Sequence, residues 1–273
     1  AGDFESACRR MEAMNALGAN LRALDRDACL AIEPALAPIA DAIAGAIHSP
    51  DDESGDAHTF TVKLAEEAAR HGSGFRFGET VRVLVAKGER VERVVTDREH
   101  HEADVVVLSL GSYSPGLLRP FGIRLPIYPA KGYSVTLPIR DGNRAPSQSI
   151  TDEDRKLVFG RFGDRLRVAG QAEFRGFDTK IAAGRCEALA EALENVFPGA
   201  ADQSQPDCWA GLRPLTPDTL PILGRGPFSN LFLNTGHGTY GWTLAAGCGR
   251  ILADLVDGKP PAIEIKDFGL GRF

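Results

Sequence analysis

The sequence predicts an α/β plus α+β architecture, in which a layer of parallel strands carries an inserted antiparallel sheet. Three observations carry this reading. Asp104-Val-Val-Val-Leu-Ser-Leu-Gly111 is a continuous apolar run, as expected of a parallel strand buried on both faces. Leu231-Phe-Leu233 is a second apolar run, and it feeds a glycine-rich turn at Gly236, Gly238 and Gly241 that opens a helix. Between them, residues 128–137, 156–160 and 165–171 read as closely spaced strands joined by short turns, the signature of an antiparallel sheet.

Taken in order, residues 6–20 are rich in Ala, Met and Leu and predict a helix. Residues 25–34 predict a second short one, with Asp25 at its start and Pro34 ending it. Residues 42–47 form a strand of small apolar residues. The loop 48–56 holds Asp51, Asp52, Glu53 and Asp56 without the Asp-x-Asp-x-Asp-Gly register of a calcium loop. It reads as solvated, its last acid capping the next helix, and no metal site is expected. The helix 58–70 sets Phe60, Leu64 and Ala68 on one face, and Gly72 and Gly74 end it. Strand-like runs follow at 75–77, 81–86 and 91–96, with Lys87-Gly-Glu89 as the last turn, so 57–111 reads as part of the parallel layer. The run ending at Gly111-Ser-Tyr-Ser-Pro115 places a turn where a ligand would meet the carboxyl end of a strand.

In 128–137, Lys131, Tyr133 and Val135 alternate with Gly132, Ser134 and Thr136. Arg161-Phe-Gly-Asp164 joins the next two strands, and 181–196 is a helix with Pro198 and Gly199 beyond it. Trp209, Gly211 and Arg213 share one face of an extended segment, and Pro214 favours that conformation at Arg213. A wide ring, a gap and a guanidinium suit a small carboxylated ligand. Pairing of Arg213 with Asp218 or Asp207 is the other reading of the same spacing. Residues 242–256 then carry Leu244, Ile251, Leu252 and Leu255 at helical spacing, stopped by Gly258 and Pro260. The chain thus divides into 1–50, a helical segment and strand that join the substrate domain; 51–125 and 221–273, the parallel layer; and 126–220, the inserted substrate domain.

The 273 residues suffice for one large domain or two ordinary ones, and 43% hydrophobic with 25% charged residues is a soluble globular composition. A net charge of −6, with Lys and Arg spread along the chain, gives no support to a nucleic-acid surface, and none is expected. Cys8, Cys29, Cys186, Cys208 and Cys248 are odd in number and form no C-x-x-C pair, which fits reduced cytoplasmic thiols better than a disulfide framework or a zinc site. No apolar run approaches the roughly 18 residues of a membrane span. The opening Ala1-Gly-Asp-Phe-Glu5 is neither an initiator Met nor a signal peptide, so an upstream segment is expected.

Gly236-His-Gly-Thr-Tyr-Gly241 satisfies G-x-G-x-x-G, and a strand feeding a glycine turn and a helix is an anion site. A nicotinamide fingerprint further needs a βαβ continuation. Asp254, Asp257 and Glu264 offer the acid, but no second parallel strand follows. The turn alone is equally consistent with a tight connection that binds nothing.

Trp209-Ala-Gly-Leu-Arg-Pro-Leu-Thr-Pro-Asp-Thr-Leu-Pro-Ile-Leu-Gly224 followed by Gly236-His-Gly-Thr-Tyr-Gly-Trp-Thr-Leu-Ala245 resembles the FAD-dependent D-amino-acid oxidase, glycine oxidase and sarcosine oxidase superfamily. Tyr128-Pro-Ala-Lys-Gly-Tyr-Ser-Val-Thr136 and Asp164-Arg-Leu-Arg-Val-Ala-Gly-Gln-Ala-Glu173 are similar to the bacterial D-amino-acid dehydrogenases. The resemblance covers nearly the whole chain. It implies a partial FAD-binding parallel layer and a flavoenzyme that deaminates D-amino acids to 2-oxo acids, passing electrons to a quinone or another acceptor. It also implies cofactor contacts from Gly111, Ser112, Gly236, His237, Gly238, Thr239, Tyr240, Gly241, Trp242 and Thr243. Arg213 would hold the substrate carboxylate, with Tyr133, Gln171 and His48 near the substrate. A glycine-, sarcosine- or proline-type activity is the nearest alternative. The expected location is the cytoplasm, with a peripheral place at the inner membrane and a homo-oligomer both left open. Family members begin with a βαβ unit that holds the FAD pyrophosphate. Nothing before residue 57 reads as that unit, so a fragment or a non-catalytic subunit is the rival from another class.

Overall fold

The computed structural model describes residues 2–273. Helix α1 (Gly2–Ala16) leads to strand β1 (Arg22–Leu24), and α2 (Arg26–Ile32) follows. Asp25 caps α2 by accepting the Ala28 N–H at 2.9 Å, as the sequence predicts. Pro34–Ala42 is a 3₁₀ segment, and the small apolar strand begins later than expected, as β2 (Ala46–His48), paired antiparallel with β1. Helix α3 (Ala57–Arg70) starts at Asp56, whose Oδ1 accepts the Thr59 N–H at 2.8 Å. The acidic loop therefore ends in the cap read from the sequence.

Strands β3 (Val81–Lys87), β4 (Arg90–Thr96), β5 (His100–His101) and β6 (Val106–Leu108) precede the short helix α4 (Ser114–Leu118). Next come β7 (Tyr128–Pro138), β8 (Ile150–Asp152), β9 (Leu157–Phe162), β10 (Arg165–Glu173), α5 (Arg185–Val196) and β11 (Asp207–Leu215). Strands β12 (Ile222–Arg225) and β13 (Leu231–Thr235) and helix α6 (Gly241–Val256) complete the main elements. A five-stranded sheet has the order β11-β7-β10-β9-β8, with β9 antiparallel to both of its neighbours. In a second sheet, β13 lies between antiparallel β12 and parallel β6.

One expectation needs correction. The strands within 81–96 do not belong to the parallel layer; β3, β4 and β5 form a separate antiparallel sheet. The reason is the connection: Gly88 and Glu89 alone separate β3 from β4, and a parallel pairing needs a crossover of a dozen residues or more. Residues 75–77 form no strand; Phe75 and Phe77 stack on each other with ring centroids 5.4 Å apart, Phe77 being 79% exposed. Helix α3 keeps its predicted periodicity but buries no residue.

The chain divides into two compact units: residues up to 60 with 132–172 and 180–210, and residues 61–131 with 173–179 and 211–273. In the first unit, Tyr133, Val135 and Leu137 of β7 and Leu166 and Val168 of β10 pack with Leu189 and Leu193 of α5. Buried Glu33 accepts N–H groups from Ala35, Ser147 and Gln148. Cys186 and Cys208 join as a disulfide with Cα atoms 6.0 Å apart, against the expectation of reduced thiols, while Cys8, Cys29 and Cys248 are free. Tertiary packing at the start of α5 makes this pair, so the spacing of the cysteines did not announce it.

In the second unit, Leu84, Val91, Leu108, Leu118, Ile222, Leu231 and Leu233 form the main core. Asn230 ties its two sheets together. Its side chain accepts the Val91 N–H and donates to the Val91 carbonyl, both at 2.9 Å, and its backbone carbonyl accepts the Val106 N–H at 2.8 Å. Among the described residues, no helix is long and apolar enough to cross a membrane.

Asn230→Leu leaves both backbone groups of Val91 without partners in a buried place. A destabilisation of about 2–4 kcal/mol is expected by denaturant titration, with unchanged secondary structure by circular dichroism.

Candidate functional site

Strands β6 and β13 run side by side in parallel, Leu231 opposite Val106 and Leu233 opposite Leu108. Their carboxyl ends therefore open at the same edge, where parallel sheets place ligands. β6 leads to the turn Gly111–Tyr113, and β13 leads to Gly236 and the 3₁₀ turn Gly238–Tyr240. One hydroxyl joins the two turns. Thr235 Oγ1, on a residue 1% exposed, donates to the Gly111 carbonyl at 3.2 Å and lies 2.8 Å from Ser114 Oγ. Because Thr235 has a single hydroxyl proton, Ser114 is the donor in the second bond.

The glycine turn has the backbone such a connection requires. Gly236 sits at φ +75°, and a Cβ there would lie 2.9 Å from the Thr216 methyl. Gly238 has φ +55°. Helix α6 follows with 16 residues, no capping side chain and no acid in its first turn. Its amino-terminal N–H groups and dipole consequently attract negative charge. His237 does not add a cation, because burial pushes its imidazole below the ordinary histidine range and favours the neutral ring.

Two buried polar atoms at this edge have no hydrogen-bond partner within the protein: Ser112 Oγ and Asn234 Oδ1. Ser112 lies within one of the joined turns, and Asn234 lies just before the other. An uncapped helix, two glycine turns and two orphaned polar atoms fit an anionic, polar cofactor such as FAD. Gly111 and Ser112 are thus brought together with the turn from Gly236 to Thr243. Tyr240 and Trp242 are exposed beside it. Asn234, Thr235 and Ser114 were not singled out in the sequence; the only signal was polar side chains at the ends of apolar runs.

Arg213, on β11 in the same unit, is half-buried, and desolvation lowers its guanidinium pKa while leaving it charged. Asp218 pairs with Arg272 at 2.7 Å and Asp207 with Arg165 at 3.0 Å.

Tyr133, Gln171 and His48 belong to the first unit. Tyr133 is 1% exposed within the hydrophobic core of that unit. Gln171 has φ +60°, an uncommon backbone state for a non-glycine residue, and its Oε1 accepts from Arg185 Nη1 at 3.2 Å. The Arg185 guanidinium also lies 6.0 Å from the Tyr133 ring centroid. Arg185, which no local pattern in the sequence marks, thus connects the two. His48 lies on β2, opposite Arg22 of β1.

The sequence pattern of the family described as FAD dependent oxidoreductase matches residues 1–255. A D-amino acid dehydrogenase of Paramagnetospirillum magneticum is 49% identical over 99% of this chain and 64% of its own length. One from Cereibacter sphaeroides is 47% identical over 99% of this chain and 62% of its own length. The chain thus spans less than two thirds of these relatives. Glycine oxidase from Geobacillus kaustophilus superposes with a TM-score of 0.88 at 26% identity, covering 98% of this chain and 71% of that one. L-proline dehydrogenase from P. horikoshii shares the fold, with a TM-score of 0.87 at 17% identity over 100% of this chain and 74% of its own.

Two outcomes are expected from this geometry. Gly236→Ala should cost about 1–3 kcal/mol in denaturant titration, because φ and the Thr216 contact both oppose a Cβ. Gly247→Ala, in open space on α6, should stabilise by about 0.5–1 kcal/mol. The second outcome concerns pH. Since the folded-state pKa of His237 is depressed, the unfolded chain takes up the proton first. The His237 contribution is greatest above about pH 6.5 and declines as pH falls through that value. His237→Gln should therefore lose less stability than the parent between about pH 7.5 and 5, measured by urea midpoints.

Proposed function

The chain belongs to the family of FAD-dependent oxidoreductases, and on that premise we propose that its parent protein oxidatively deaminates D-amino acids to 2-oxo acids. The observation that carries the cofactor half of this reading is the paired carboxyl ends of β6 and β13, with the uncapped α6 helix and the orphaned Ser112 and Asn234 atoms. The substrate half rests on the likeness to D-amino acid dehydrogenases at 47–49% identity and on half-buried Arg213. Gly111, Ser112 and the turn from Gly236 to Thr243 hold the cofactor. When bound, FAD supplies the acceptor for the hydride that leaves the amino acid's α-carbon, and hydrolysis of the resulting imine releases ammonia.

The chain's own residues bind and orient. Arg213 offers the two-pronged donor that a carboxylate matches and fixes one end of the substrate. The α6 amino terminus and the turn N–H groups stabilise negative charge that develops beside them. Neutral His237 leaves that field to the backbone. A quinone or another acceptor then removes the electrons.

Visible absorption of the purified chain after addition of FAD and removal of the excess tests the cofactor half. A retained flavin band would mean that the contacts of this chain suffice; a colourless protein would leave this chain an incomplete holder of the cofactor. In the flavin-bearing parent, Arg213→Ala should raise KM for a D-amino acid about 30–200-fold with a smaller change in kcat, and Arg213→Lys should fall between. An unchanged KM would remove Arg213 from the carboxylate role.

A further inference from the structure

Away from the candidate cofactor site, the β3–β4–β5 sheet brings together three side chains able to ligate a metal. Glu79 precedes β3, while Glu99 and His101 flank His100 at β5. His101 Nε2 lies 3.3 Å from Glu79 Oε2 and 3.8 Å from Glu99 Oε1. All three donor atoms fall within 4.8 Å of one another. Donors about 2.0–2.2 Å from a tetrahedral zinc ion stand roughly 3.3–3.5 Å apart, so the first spacing already matches and the others need only small side-chain rotations. Glu99, 55% exposed, is free to make such a rotation.

The most buried donor is also the best oriented. The Glu79 side chain is 8% exposed, and its Oε2 is 3.0 Å from Thr96 Oγ1. That hydroxyl in turn accepts the Arg98 and Glu99 N–H groups, which fixes the turn leading to β5. Two carboxylates balance a divalent charge, and one imidazole with two carboxylate oxygens favours zinc over magnesium or calcium. Arg76 Nε lies 3.7 Å from Glu99 Oε1 and competes for it, but that side chain is 65% exposed and can turn into solvent. We propose that Glu79, Glu99 and His101 form a zinc-binding site with three protein ligands and a fourth position for water. The sequence pattern held no sign of it, because Glu79 joins the other two only through the folded sheet.

Zinc binding to the chelator-treated chain, measured by isothermal titration, tests the site. One equivalent with roughly micromolar affinity is expected. Glu79→Gln and His101→Ala should each weaken it by more than about tenfold, and Thr96→Val, which keeps all three donors, by about tenfold. Arg76→Ala should tighten it severalfold, a gain that misfolding does not produce. Zinc-edge X-ray absorption should show nitrogen and oxygen neighbours including one imidazole. The proposal is overturned by no binding, by undiminished binding in the Glu79 and His101 variants, by an unchanged affinity in Arg76→Ala, or by a sulfur shell from Cys8, Cys29 or Cys248.

Discussion

Thr235 ends β13 with a buried hydroxyl that donates to the Gly111 carbonyl and accepts from Ser114. Through that one side chain, two turns more than a hundred residues apart in sequence become a single edge. The parallel pairing of β6 and β13 brings their ends level, and the hydroxyl sets how the turns meet. Without it, the Gly111 carbonyl and the Ser114 hydroxyl would be buried without those partners, at a cost of about 1–3 kcal/mol each. The site is therefore part of the core of its unit rather than an addition to it.

Electrostatics at this edge depends more on backbone than on charged side chains. Helix α6 begins without a capping residue or an acid in its first turn, and burial holds His237 toward its neutral form. The positive end of the helix is left to act on whatever approaches. Glycine has two purposes here. Gly236 permits both the left-handed turn and the contact with Thr216, and the absence of side chains keeps the main chain approachable.

The parts of this fold that a local pattern determines were legible in the sequence. Apolar runs marked β6 and β13, alternation marked β7, and Asp25 and Asp56 were recognisable as helix caps. The glycine turn and Arg213 stood out because their residue types are costly or distinctive. What a pattern in one stretch cannot encode is partnership. The β3–β4 hairpin was assigned to the wrong sheet although its short turn already implied antiparallel pairing. The Cys186–Cys208 pair, the Gln171–Arg185 contact and the Thr235 hydroxyl all arise from residues distant in sequence. Alternation along β7 likewise does not reveal that Tyr133 is buried in a hydrophobic core.

Hydrogen exchange of the chain with and without FAD tests the central claim most directly. The account predicts slower exchange on FAD addition for the amides of Gly111–Tyr113 and of the turn from Gly236 to Thr243, with little change elsewhere. Unchanged exchange in both turns at an FAD concentration that saturates binding, or protection confined to other elements, would contradict it.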